Sequence, residues 1–333
     1  MKTLRLAALI MAVLPTASFA DTLIVANKYE GTVSFIDLDS GAEVARRATG
    51  PSPHELALSP DQTLAVVVSY LEDGYIGREL NVFDVASTEL IRTIDIEPHL
   101  APHGISWIGD SNSVIVTTEE TRDVIRVDVE LGTVEGVAVT DQIGSHLLAL
   151  SPDASRAYVT SRGSDTVSVI DTAEMTTLET IEANKGPEAV FVSPDGKEVW
   201  VGNNQSENII IFDAQSMDRI ETIEMGFVPI RVRFNPAGDR VAIADLHGNR
   251  VLIYDAADRS EAAVVDLNEF DIERPPSLLF SPDGAHLYVG SELSEKVVEI
   301  ETSDWTVTRL LEAGAGADGL EISSVKAKPN DVN

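Results

Sequence analysis

The 333-residue sequence contains no cysteine. That absence removes disulfide frameworks, thiolate metal sites, cysteine nucleophiles and a covalently attached c-type haem, so stability has to come from burial. Positive charge is scarce as well: 24 Lys and Arg face 55 Asp and Glu, for a formal charge of −31. So acidic a surface repels phosphate backbones and anionic lipid, which argues against nucleic acid as a partner and against docking on a membrane surface. The excess speaks to solubility rather than to fold. Long apolar runs are missing too. The run at residues 6–14 falls short of the roughly 20 residues that a bilayer-spanning helix needs. With Lys2 and Arg5 before it and Ala17-Ser18-Phe19-Ala20 after it, the stretch 1–20 reads as a secretory signal cleaved after Ala20, with no membrane anchor. The expected location is therefore the periplasm or the extracellular medium. Catalytic signatures are absent in the same way: no G-x-S-x-G elbow, no H-E-x-x-H and no glycine-rich phosphate loop.

What is present is repetition. Residues 156–197 hold three alternating apolar runs, a Gly-Pro turn, a fourth run and a closing Ser-Pro-Asp-Gly turn. The same order of signals recurs along the chain, with a register proline at Pro60, Pro152, Pro194, Pro236 and Pro282, replaced once by Gly109 and once by Ser324. A period of about 42 residues with four strand signals corresponds to one blade of a propeller. The second strand of each unit ends in a polar residue, and the third ends in an acid: Asp37, Asp84, Asp128, Asp171, Asp213, Asp255 and Glu301. Such regularity is better explained by turn chemistry than by catalysis, since Asp at the head of a tight turn accepts from the backbone two residues on.

The ends of the sequence are complementary. Residues 22–49 carry three strands with no innermost strand before them, and 319–322 is an innermost strand with no partners after it. Pairing the two removes both raw sheet edges. The expected fold is all-β, a seven-bladed β-propeller closed by strand 319–322 against 22–49. It spans residues 21–324 as one domain, followed by a polar disordered tail at 325–333.

These residues carry a resemblance. AYVTS at 157–161, VWVGN at 199–203, LYVGS at 287–291, VSVIDTAE at 167–174 and SPDG at 193–196 and 281–284 resemble the YVTN-type β-propeller repeats of exported bacterial proteins. The resemblance covers residues 22–324. It implies the propeller fold, and it places the chain among surface-layer proteins, propellers of nitrite-reductase and nitrous-oxide-reductase type, lactonase-like enzymes and accessory proteins of quinone-dependent oxidation. A fold shared so widely does not by itself supply chemistry.

Ligands of propellers bind where loops open around the central channel. The residue that starts each innermost strand forms one ring there: His54, His103, His146, Glu188, Ile230, Pro276 and Asp318. Three consecutive blades place histidine at the same position, and three converging imidazoles suit a zinc or copper ion. The competing reading is that Pro-His is a local choice at this turn. A second ring follows each second strand: Lys28, Tyr70, Glu119, Arg162, Asn204, Leu246 and Glu292. Arg162 and Arg231 suit a ligand carboxylate or phosphate, or else pair with acids such as Glu188. Two insertions, 70–80 and 95–103, lengthen loops toward the same opening and add Tyr75 and His99 as candidates.

Two functional readings follow. The first is a periplasmic, monomeric ligand-binding or accessory module that holds a small polar molecule or a periplasmic protein at the mouth, associated with a redox, quinone- or cytochrome-linked system. The second is a lactonase-like hydrolase or a metal-assisted lyase or oxidase that uses the three histidines.

Overall fold

Four-strand units repeat because each has two kinds of strand. The second strands are buried along most or all of their length, as in Thr22–Asn27 and Ser113–Thr118. The outermost strands are largely exposed, as in Thr176–Glu182. A sheet whose inner strands are covered on both faces needs a neighbouring sheet on each side, and a closed ring of sheets provides this without a raw edge. The computed structural model describes residues 21–72 and 74–328. Among these the strands form seven four-stranded sheets, each antiparallel and connected in sequence order except the first.

The first blade has the order Ala317–Ser323, Thr22–Asn27, Thr32–Asp37, Ala42–Ala48, so the last strand of the chain is the innermost strand of the blade the N-terminal segment begins. The remaining innermost strands are Leu56–Leu58, Pro102–Trp107, Ser145–Leu150, Pro187–Val192, Pro229–Phe234 and Leu278–Phe280. The expected ring closure is thus what the chain adopts.

The apolar interior is a ring of clusters between neighbouring blades, not one core. Between blades four and five, Tyr158, Val167 and Val169 pack on Val190, Val201 and Phe212. Between five and six, Trp200 lies edge-on to Phe234 at 5.4 Å and donates its indole N–H to Glu198 at 2.8 Å. Between seven and one, Tyr288 and Val297 meet Leu23 and Val25.

Turn chemistry accounts for the recurrent acids. Asp37 Oδ1 accepts from Asp39 N, Asp171 Oδ1 from Ala173 N and Asp213 Oδ1 from Gln215 N, each within 3.0 Å. The Ser-Pro-Asp turns close likewise, with Ser193 Oγ donating to Asp195 and accepting from Glu198 N.

Residues 325–328, expected as part of the tail, are held against the first two blades. Ala327 is buried beside Phe35 and Val85, and Thr22 Oγ1 donates to the Val325 carbonyl at 2.8 Å while accepting from Ala327 N. An apolar pair inside a polar stretch, and a hydroxyl able to serve both backbone groups, hold the strap down. The signal sequence expected at 1–20 and the tail residues 329–333 lie outside the described residues.

Candidate functional site at the channel mouth

The loops that lead into the innermost strands and those after the second strands open on one face. Side chains of both expected rings meet there around a cavity of about 280 Å³. His54, His103, His146, Glu188 and Asp318 line it, as do Tyr70, Arg162, Asn204 and Arg231. Glu119 stands behind Tyr70 and His146 and bonds to both. Below the mouth the channel narrows to a second space of about 140 Å³, lined by Glu55, Arg231, Arg233 and Glu321 among backbone of the innermost strands.

Backbone irregularity aims the first ring. The ladder register slips between Pro102 and Ile105, so His103 and Gly104 stand opposite the single residue Thr117. The same slip sets His146-Leu147 against Thr160, Glu188-Ala189 against Gly202 and Asp318-Gly319 against Ala26. A β-bulge bends its strand and re-aims side chains, here into the mouth. The residue opposite the bulge also faces the next blade. Thr117 Oγ1 donates to the His146 carbonyl at 2.6 Å, and Thr160 Oγ1 to the Glu188 carbonyl at 2.8 Å. Where glycine stands instead, room is the reason: a Cβ on Gly202 would lie 2.6 Å from the Pro229 carbonyl oxygen. The fifth residue of the second strand, the Thr or Gly at Thr117, Thr160 and Gly202, therefore sits against the next blade's contribution to the site. Read in the sequence, that motif marks the fold alone.

The histidines do not converge on a point. His103 and His146 stack at 3.6 Å between ring centroids with 30° between planes, and His54 lies 4.9 Å from His103. Stacked rings direct their nitrogens side by side. His146 is also engaged at both ends, by Glu119 Oε2 at 2.7 Å and Glu188 Oε1 at 3.5 Å. Among the described residues no group of three or more His, Cys, Asp or Glu is arranged to hold a metal ion. The bulges lay His103 and His146 face to face and leave the His54 ring tilted at 56° to His103.

Charge at the mouth is paired. Arg231 donates to Glu55 at 2.8 Å, and Lys28 lies 2.7 Å from Glu292 and 3.4 Å from Asp318. Arg162 reaches Glu119 and Glu188, both at 3.4 Å. Burial alone would raise the Glu119 and Glu188 carboxyls, but His146 and Arg162 outweigh it and hold both at about 2. Glu292 is likewise held at about 2, with Lys28, Tyr29 and Arg274 overcoming its burial. Burial lowers His54 to about 4, and burial together with the neighbouring His146 and His54 keeps His103 well below its ordinary value. The two imidazoles are thus neutral at pH 7, and the three carboxylates are poor proton donors and weak bases.

Three polar atoms within this network have no hydrogen-bond partner: His103 Nδ1, Asn204 Oδ1 and Asp318 Oδ1. His103 and Asp318 are 3% and 4% exposed. Buried polar atoms without partners are costly and need a reason.

Beyond Tyr70 and His103, the described residues of the two insertions do not join the site. Residues 70–80 extend a hairpin, with Leu71 paired to Ile76 and Glu72 to Tyr75, so Tyr75 stands at the hairpin end. His99 bonds Asp123 at 2.9 Å on the flank of the third blade. Cross-strand pairing continues through the extra residues, which is why the expected open loop is a ladder.

Residues 131–315, more than half of the chain, match the YNCE-like beta-propeller family. No curated protein matches the sequence. Among solved structures, the chain is similar to Kuenenia stuttgartiensis Hydrazine Synthase with a TM-score of 0.73 and 19% identity, covering 89% of this chain and 99% of that one. At that identity the likeness is one of fold.

Proposed function

This chain belongs to the YNCE-like β-propeller family, and we propose that it is a binding module whose channel mouth holds a small polar molecule without turning it over. The observation that carries the reading is the set of unpartnered atoms on His103, Asn204 and Asp318, all bordering one cavity. A cavity of this size suits a small molecule. The groups that would do acid–base work are tuned away from it, with carboxylates at about 2 and the His54 imidazole at about 4. With the export expected from residues 1–20, the module works in the periplasm, where a redox or quinone-linked system would be its accessory context.

The enzyme reading keeps one supporting observation. His146 is oriented by Glu119, which also accepts from Tyr70 at 2.7 Å. Equilibrium dialysis against a low-molecular-mass periplasmic extract, followed by mass spectrometry, tests the proposal. Retention of one compound by the native protein, unaltered after incubation and lost in His103→Leu, supports binding. No retained compound, or hydrolysis of a lactone panel that His103→Ala abolishes, overturns it.

A further inference from the structure

The mouth presents acceptors at its floor and an under-used guanidinium beside them. We propose that its occupant is a small zwitterion of the α-amino-acid type, with the ammonium seated on His103, Asn204 and Asp318 and the carboxylate turned to Arg162. The inference rests on the reading of the mouth as a binding site and names the ligand class for it.

The floor atoms seek a donor. Asp318 Oδ1 is an acceptor, and its nearest cation, Arg231 Nη2, is 3.6 Å away, too far for a hydrogen bond. Asn204 donates its amide N–H to Glu188 Oε2 at 2.7 Å, so its oxygen is the end left over. His103 Nδ1 is unpartnered on a neutral imidazole, and with the ring proton on Nε2 its lone pair is the third acceptor. Three acceptors match the three donors of an ammonium group.

The anionic end has its own place. Arg231 and Lys28 are each committed to a carboxylate at 2.8 and 2.7 Å, and Arg274 Nε is bonded to Glu292. Arg162 alone among these four has both of its carboxylate contacts at 3.4 Å, and its side chain is 37% exposed toward the opening. Its planar fork is suited to a carboxylate. The near balance of charge favours a ligand without net charge over a simple ion. Glu55, Glu119, Glu188, Glu292 and Asp318 face Lys28, Arg162, Arg231 and Arg274, so the site is close to neutral and a ligand with no net charge leaves it so. A bare cation meets Lys28 and Arg231 beside Asp318, and a bare anion meets the acceptors on the floor.

Calorimetric titration of the full protein near pH 7.5 with the twenty α-amino acids, ethylamine, acetate and glycerol tests the assignment. At least one amino acid is expected to bind about tenfold more tightly than ethylamine or acetate, the worth of one well-placed charged contact. Asp318→Asn should weaken amino acid and ethylamine alike by about tenfold, while Arg162→Gln should weaken the amino acid and leave ethylamine unchanged. Arg162 is partly exposed, so its variant remains informative should Asp318→Asn fail to fold. Ethylamine, acetate or glycerol binding as tightly as every amino acid overturns the zwitterion but not the binding site. Silence from every probe overturns the zwitterion, and silence here and in dialysis overturns the binding site with it.

Discussion

Glu119→Gln isolates what the mouth network contributes to the folded state. In the native protein Glu119 Oε2 accepts from Tyr70 and from His146, both at 2.7 Å, and Oε1 faces Arg162 at 3.4 Å. Its side chain is only 18% exposed. The carboxyl sits at about 2 in the fold against an ordinary 4.5, because its hydrogen-bonding and charged neighbours outweigh the burial that would raise it. Holding the carboxyl at about 2 against 4.5 corresponds to roughly 3.5 kcal/mol, at ~1.4 kcal/mol per tenfold in proton affinity. Glutamine keeps the shape and can still accept at the position between Tyr70 and His146, but each bond loses its charge assistance, about 1 kcal/mol apiece. The variant is therefore expected to be about 2–3 kcal/mol less stable at pH 7. A depressed carboxyl stabilises the fold fully above its unfolded value and loses that contribution as pH falls through the folded one. The difference between native protein and variant should thus shrink from about pH 4.5 downward and be nearly gone near pH 2. Guanidinium denaturation midpoints across about pH 3–7 read this directly. A gap that is the same at both ends of that range, or one below about 0.5 kcal/mol at pH 7, refutes the reasoning.

Other perturbations follow from the same contacts. Thr160→Val removes the hydroxyl that donates to the Glu188 carbonyl, and should cost about 1–2 kcal/mol in chemical denaturation and weaken ligand binding at the mouth. Trp200→Ala empties the interface between blades five and six and should cost about 3–5 kcal/mol, read as a lowered denaturation midpoint. Ending the chain after Ser324 removes the Val325 and Ala327 bonds to Thr22 and the burial of Ala327; a loss of about 1–3 kcal/mol is expected by thermal or chemical unfolding. Removing residues 317–333 takes away the closing strand and should abolish a cooperative transition altogether.

The fold was legible because its signals are redundant. Turn acids and alternating strands mark all seven units, register prolines mark five of them, and edge avoidance dictates how strand 317–323 is used. The membership of the mouth was legible for the same reason: equivalent positions in a ring must face one another. Geometry within the mouth was not. Nothing in Pro102-His103 or Ser145-His146 shows that a bulge opposite Thr117 or Thr160 will stack His103 on His146. Nor does Tyr-Leu-Glu at 70–72 show that pairing will continue to Glu72 and draw Tyr75 away, because a longer hairpin and an open loop use similar residues. The buried part of the tail, Val325 and Ala327, is two short apolar side chains in a polar stretch, too weak a pattern to stand out before Thr22 is seen beneath them.

The account turns on residues far apart in the chain forming one polar, ligand-holding mouth. A crystal structure of the protein grown with a saturating concentration of its tightest-binding small molecule tests this most directly. The expected result is that molecule within hydrogen-bond distance of His103, Asn204 and Asp318, with Arg162 swung onto its free end. Water alone at those atoms, or the molecule seated elsewhere on the propeller, would contradict it.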